Sequence, residues 1–328
     1  MEKNNFTVGV EKLVHPVDVG TLHFVQNFTG SLPIGIQKKM INNAAKTTPY
    51  MGFVVEPYSY FLCYEISDLA WAERLLPEGF KMVKSHVFKD DIERYYGIFG
   101  IFNAHTSGFW GLRVEFYLIA ENVDTGLLSW IIIDYDTNTI SYDPKNGLSS
   151  PNAVGGIFTV DYNGIIHVDV KRNDNSHSLI LQSDIKNAID RKLDQRLWVE
   201  GNLSIGYGKE ISNNDSNVFS LKFHPEEFSS ALEIKNEDVN INVNSWFPGL
   251  FKEKPATVLC FPYAQHFLSD SPGAYSQLQN EEELVTEIER VDFSKINIFS
   301  TEKLKKLAIT GIALSVLINI TLVLLLVI

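Results

Sequence analysis

The sequence predicts a mainly β (α+β) chain of antiparallel strands with few helices, ending in a single C-terminal transmembrane helix. Three observations carry that expectation. The stretch from Phe109 to Asp143 alternates apolar and polar residues and is cut by Asp124-Thr125-Gly126 and Asp136-Thr137-Asn138. Period-2 alternation broken by short turns reads as an antiparallel meander. Roughly a dozen strand-like runs recur along the chain against few helical ones. Finally, Leu307 to Ile328 runs for 22 residues without a charge. As a helix it would be about 33 Å long, close to the hydrocarbon thickness of a bilayer.

Taken in order, residues 1–48 are weakly periodic and read as an N-terminal wrap, with a short helix expected from Gln37 to Ala45. Residues 49–276 hold the β domain. Tyr50 to Ile66 is strand-like and crowded with aromatic residues. Ser67-Asp68 then caps a helix from Leu69 to Leu76, which Pro77-Glu78-Gly79 ends. Phe80 to Val87 and Arg94 to Ala104 read as strands. In the meander, Leu112, Val114, Phe116 and Leu118 share one face, and Arg113, Glu115 and Tyr117 share the other. Leu127 to Asp134 follows, and Thr139 to Tyr142 starts a third strand.

Beyond Asp143, a hairpin is expected around Tyr162-Asn163-Gly164, because Asn-Gly suits a tight turn. Ser178 to Ser183 alternates as a strand, and the charged Asp184 to Leu193 reads as helical. Leu197 to Ile205, Val218 to Phe223, Val239 to Asn244 and Ala256 to Ala264 complete the strand candidates; Pro225 to Asn236 reads as loop. Residues 277–306 are an acidic linker or stalk. Lys303, Lys305 and Lys306 abut the apolar segment 307–328, so the positive-inside rule places the β domain on the cytoplasmic side. Gly311, Ser315 and Asn319 recur every four residues on one face of that segment, an expected packing surface for a homo-oligomer.

Composition excludes several function classes. Of 328 residues, 45% are hydrophobic, ample for a core, and the formal net charge is -12, which argues against nucleic acid as a partner. Cys63 and Cys260 are far apart and flanked by aromatic residues, so they read as core thiols. His105, His167 and His266 lack metal-ligand spacing; there is no P-loop, dinucleotide fingerprint or Gly-x-Ser-x-Gly elbow, and no cofactor is expected.

Arg113 and Glu115 are the first candidate site residues. Two apart on a strand, they form either a surface ion pair or a pair inside a cavity, where a guanidinium binds a carboxylate or carbonyl. Asp143-Pro144-Lys145-Asn146-Gly147 is turn chemistry that carries a lysine.

A strand, a helix ending in Leu75-Leu76-Pro77-Glu78-Gly79, further strands, a strand carrying Arg113 and Glu115, and a turn carrying Pro144-Lys145 together give a familiar layout. Over residues 50 to 223 it resembles the acetoacetate decarboxylase-like superfamily. The resemblance implies a closed, cone-like antiparallel β-barrel around a solvent-poor cavity. It also implies that Glu115 falls on a cavity glutamate and Lys145 on the lysine that forms a Schiff base with a keto acid. In that family a second lysine follows and lowers the nucleophile's pKa by repulsion; here Asn146 stands in its place. The sequence therefore reads as a barrel that binds a small apolar or carboxylated molecule through Arg113 and Glu115. The alternatives are a Schiff-base lyase with Lys145 as catalytic residue, and a non-catalytic interaction scaffold.

Overall fold

Side-chain capping and turn glycines set several element ends. The structure, a computed structural model, describes residues 4–14, 33, 35–36, 39, 51–106, 110–139, 141–143, 147–149, 151–153, 155–207, 218–270, 276–296 and 301–327. Helix α1 (Asn5–Leu13) begins where the Asn4 side chain accepts from the Thr7 amide at 2.7 Å, and it buries Phe6, Val10 and Leu13. Strands β1 (Met51–Val55) and β2 (Ser59–Glu65) are separated by a turn in which Tyr58 has a φ of 70°. Helix α2 (Leu69–Leu75) starts on Asp68, as its sequence predicts, and Gly79 with a φ of 83° turns the chain out of it. Short strands β3 (Phe80–Met82) and β4 (Lys84–Ser85) lead to the three long ones, β5 (Arg94–Thr106), β6 (Trp110–Asn122) and β7 (Leu128–Thr137).

Strands β8 (Ser141–Asp143) and β9 (Gly147–Ser149) pair only with each other. Strands β10 (Ile157–Val160) and β11 (Ile165–Lys171) form the expected hairpin, followed by β12 (Ser178–Asp184). Next come β13 (Ile189–Lys192), a π-helical turn over Arg196–Glu200, a helical turn over Gly201–Leu203, and β14 (Ser204–Tyr207). The remaining strands are β15 (Val218–Phe223), β16 (Ser230–Ile234), β17 (Val239–Asn244), β18 (Thr257–Phe261) and β19 (Gln265–Ser269). Helices α3 (Glu281–Glu289) and α4 (Thr301–Val327) follow.

Seven strands close into a barrel in the order β5-β1-β19-β15-β14-β7-β6, with β6 returning to β5. The barrel is mixed, which corrects the antiparallel barrel expected from sequence: β14 runs parallel to β7, with Ile205 opposite Trp130. A parallel neighbour needs a long crossover rather than a hairpin. Here the excursion from β7 to β14 contains β10, β11 and β12 of the second sheet and the helical turns, and those turns lie against the barrel. Trp130 donates its indole N–H to the Leu197 carbonyl at 2.9 Å, and a Cβ at Gly201 would sit 2.5 Å from the Trp130 ring nitrogen.

The first six paired residues of β5's other edge, Tyr96 to Ile101, bond to β2 and extend the sheet through β18, β16 and β13. Strand β13 corrects the helix expected over Asp184 to Leu193. Its charges have partners across strands: Arg191 reaches Glu233 at 2.9 Å and Asp91 at 3.0 Å. Similarly, Leu197 to Leu203 is helical rather than extended, and Ser230 to Ile234 is a strand rather than loop.

Two apolar cores lie on opposite faces of this sheet. Phe61, Ile98, Tyr117, Trp130, Phe223 and Phe261 belong to the core on the barrel side of the sheet. Tyr60, Leu62, Phe99, Phe116 and Leu118 face the other way, against Ile166, Val168, Leu179 and Leu181 of the second sheet, β10-β11-β12-β17. Cys63 and Cys260 are both free and buried, and they belong to different cores, so the sheet separates them.

At the C-terminus, Leu284 and Ile288 of α3 are buried against the body. The single-pass anchor expected over 307–328 is not supported: among the described residues, no helix is long and apolar enough to cross a membrane. With that span goes the cytoplasm-facing, membrane-held placement deduced from it. Gly311, Ser315 and Asn319 are exposed, and the Asn319 amide donates to the Ser315 carbonyl at 2.8 Å.

The second sheet is pinned by charge. Arg172 at the end of β11 donates to Asp136 at 2.5 Å and to Asp134 at 2.7 Å. Asp136 is fully buried; burial pushes its carboxyl up to about 6, although Arg172 opposes the shift. The sign follows from linkage. Between pH 4 and 6 the folded protein holds a proton here that the unfolded chain releases, so this group's contribution to stability falls as pH rises and is level above 6. Comparing urea unfolding of the wild type with Asp136→Asn should show this. The wild type should lose up to about 3 kcal/mol more than the variant between pH 4 and 6.5.

Candidate functional site

The alternation of β6 decides which side chains enter the barrel. Leu112, Val114, Phe116 and Leu118 face the second sheet. Arg113, Glu115 and Tyr117 therefore point into the barrel, where Tyr117 packs edge-on against Trp130 with ring centroids 5.0 Å apart. In register, Arg113 lies between Phe102 of β5 and Thr137 of β7, and Glu115 lies between Gly100 and Tyr135. Gly100 is needed here: a Cβ would meet the Phe61 ring at 3.1 Å and the Tyr117 ring at 3.2 Å.

Strand β7 reaches this site only because of an irregularity. Its register against β6 shifts between Phe116 and Tyr117, leaving Ile133 without an opposite residue. Before the bulge, Leu128, Trp130 and Ile132 face the barrel core; beyond it Tyr135 and Thr137 take that face. Asp134 and Asp136 are thereby turned outward to Arg172.

The pair expected from sequence is present and lies inside the barrel. The Arg113 and Glu115 side chains are 12% and 7% exposed, so this is not the solvated surface pair weighed above. Arg113 Nε donates to Glu115 Oε1 at 2.6 Å, and an Nη nitrogen approaches the same oxygen. The Tyr117 hydroxyl donates to the other carboxylate oxygen. The Arg113 guanidinium lies over the Tyr135 ring, 4.9 Å from its centroid. Glu115 is thus held on both oxygens, and Arg113 is fixed in orientation by a carboxylate and an aromatic face. Such an arrangement presents an oriented cation in an aromatic surround, suited to recognising a planar anion.

Tyr117 is legible on the polar face of β6. Tyr135 is not singled out by sequence reasoning, because unbroken alternation along β7 places it outside and the bulge carries no signal of its own. Lys145 lies outside the described residues; the flanking strands β8 and β9 pair across it. Of the histidines considered for metal binding, none joins a metal-type cluster among the described residues.

The pair's burial has a measurable consequence. A buried charge stripped of its partner is strongly destabilising, whereas an apolar replacement of both is tolerated. Glu115→Leu should lower unfolding free energy by about 3–5 kcal/mol, and Arg113→Met with Glu115→Leu by much less. Denaturant unfolding of the single and double variants measures the difference.

No family model matches the chain, and no curated protein matches it. Among solved structures, it is similar to an acetoacetate decarboxylase from Legionella pneumophila at 13% identity, covering 67% of this chain and 86% of that one, with a TM-score of 0.40. A second structure, described as acetoacetate decarboxylase, matches at 12% identity over 69% of this chain and 90% of that one, with a TM-score of 0.39.

Proposed function

We propose that the barrel binds a small carboxylate-bearing molecule with an apolar body, the carboxylate resting on Arg113. The observation that carries this reading is the Arg113–Glu115 pair on the inner face of an otherwise apolar barrel. A buried ion pair contributes little net stability compared with apolar residues of the same volume. Its placement among Phe102, Tyr135 and Tyr117 is better accounted for by recognition. Glu115 and the Tyr135 ring orient the guanidinium before the ligand arrives, which lowers the ordering cost of binding. The aromatic wall would take the apolar body, and the charge would select acids over neutral analogues.

The test is calorimetric titration of the full chain with short aliphatic and aryl carboxylic acids, each beside its primary amide. At least one acid should bind, its amide at least tenfold more weakly, and Arg113→Met should remove the preference. Equal affinity for acid and amide, or an unchanged preference in the variant, would sink the reading. Incubating the chain with keto acids and borohydride addresses the lyase alternative. A covalent adduct that disappears in Lys145→Ala would put Schiff-base chemistry in place of simple binding.

A further inference from the structure

The inner wall of the barrel carries a further polar side chain opposite the Arg113–Glu115 pair. On β1, a Cβ at Gly52 would meet Leu13 of α1 at 3.0 Å, so Gly52 and Val54 face the helix, and Phe53 and Val55 face inward. Residues directly opposite one another on neighbouring strands share a face. Phe267 is paired with Phe53 and stacks on it with ring centroids 4.7 Å apart; Gln265 is paired with Val55. Gln265 therefore enters the barrel. We propose that its carboxamide is the second anchor of the barrel ligand and selects acids whose apolar body carries a neutral acceptor oxygen, an inference that rests on the carboxylate reading of Arg113.

Burial and hydrogen bonding single this side chain out. Gln265 is only 2% exposed. The buried Ser59 donates its hydroxyl to Gln265 Oε1 at 2.8 Å, which leaves Nε2 as the end with no hydrogen-bond partner among the described residues. A primary amide nitrogen carries two N–H donors, and unpaired buried donors are costly enough that folded proteins hold few of them. An acceptor brought in by a ligand removes that cost. A neutral ether or hydroxyl oxygen supplies one without burying a second charge.

Topology sets Gln265 against Arg113. Around the barrel, β19 is three strands from β6 through β1 and β5, and four through β15, β14 and β7. In a closed ring of seven that is the opposite wall. Seven strands about 4.8 Å apart and tilted by about 40° enclose a ring roughly 14 Å across, so long side chains from opposite walls approach within the length of a small ligand. The levels agree as well. Tyr60 is paired with Ile101, which brings Ser59 level with Phe102, and Phe102 is paired with Arg113. By reaching Ser59, the Gln265 amide stands at the level of the guanidinium.

Calorimetric titration of the full chain with matched acids tests this: methoxyacetate against butanoate, 3-methoxypropanoate against pentanoate, and 4-methoxybutanoate against hexanoate. Within each pair an ether oxygen replaces one methylene. In a barrel without a donor the ether oxygen gives up its water uncompensated, and the alkyl acid binds more tightly. At least one methoxy acid should instead outdo its alkyl partner, by about fivefold. Gln265→Met, which keeps the length of the side chain, should reverse that preference and leave the alkyl acid bound; Arg113→Met should weaken both. If alkyl acids bind through Arg113 and no methoxy acid outdoes its partner, or if the methoxy preference survives Gln265→Met, the proposal is overturned and the carboxylate reading stands. Binding by no acid at all would overturn both. If Gln265→Met fails to fold, Gln265→Leu takes its place, and a wild type without the methoxy preference overturns the proposal by itself.

Discussion

Strands β5 and β6 are buried on both faces, and the rest of the molecule is arranged to make that possible. One face of each looks into the barrel, the other onto the second sheet. Strand β5 also divides its edge: Tyr96 to Ile101 pair with β2, and Ala104 to Thr106 with β1. One thirteen-residue strand thus serves barrel closure, sheet extension and the sandwich. The apolar area withdrawn from water on its two sides is the main favourable term in such a fold.

Burial on both faces leaves few places for charge inside, and the end of β7 collects most of it. The bulge at Ile133 turns Tyr135 inward, toward Arg113, and Asp134 and Asp136 outward, toward Arg172. Two arginines therefore grip the same short segment from opposite faces. The outer pairs hold the second sheet on the barrel; the inner pair furnishes the recognition chemistry proposed above. A displaced bulge would exchange the two sets, since a one-residue slip reverses every side chain. The position of this bulge thus sets both the docking of the second sheet and the character of the barrel interior.

Much of the β domain was legible because its strands alternate. The faces of β6, the hairpin at Gly164, the cap at Asp68 and the strands at Ser178, Val218 and Val239 follow from period and turn chemistry. The failures share a cause. Strand β13 looks helical because it is charged and short, yet Arg191 finds Asp91 and Glu233 on distant elements. Leu197 to Leu203 looks extended because it is apolar, yet its side chains are needed against Trp130 and Phe61. A groove between α1 and the barrel wall brings together Glu11, Glu56 and His105 from three distant segments, and no local pattern signals that.

By itself the sequence determined the mainly β class, the pairing of Arg113 with Glu115 on one strand face, and the separation of Cys63 from Cys260 as thiols. These are local properties: side-chain period and residue chemistry settle them without reference to the rest of the chain. Only the tertiary structure decided that the Arg113–Glu115 face points inward and that β14 joins β7 in parallel. Each depends on which strands become neighbours, and that is settled by burial summed over segments far apart in the chain.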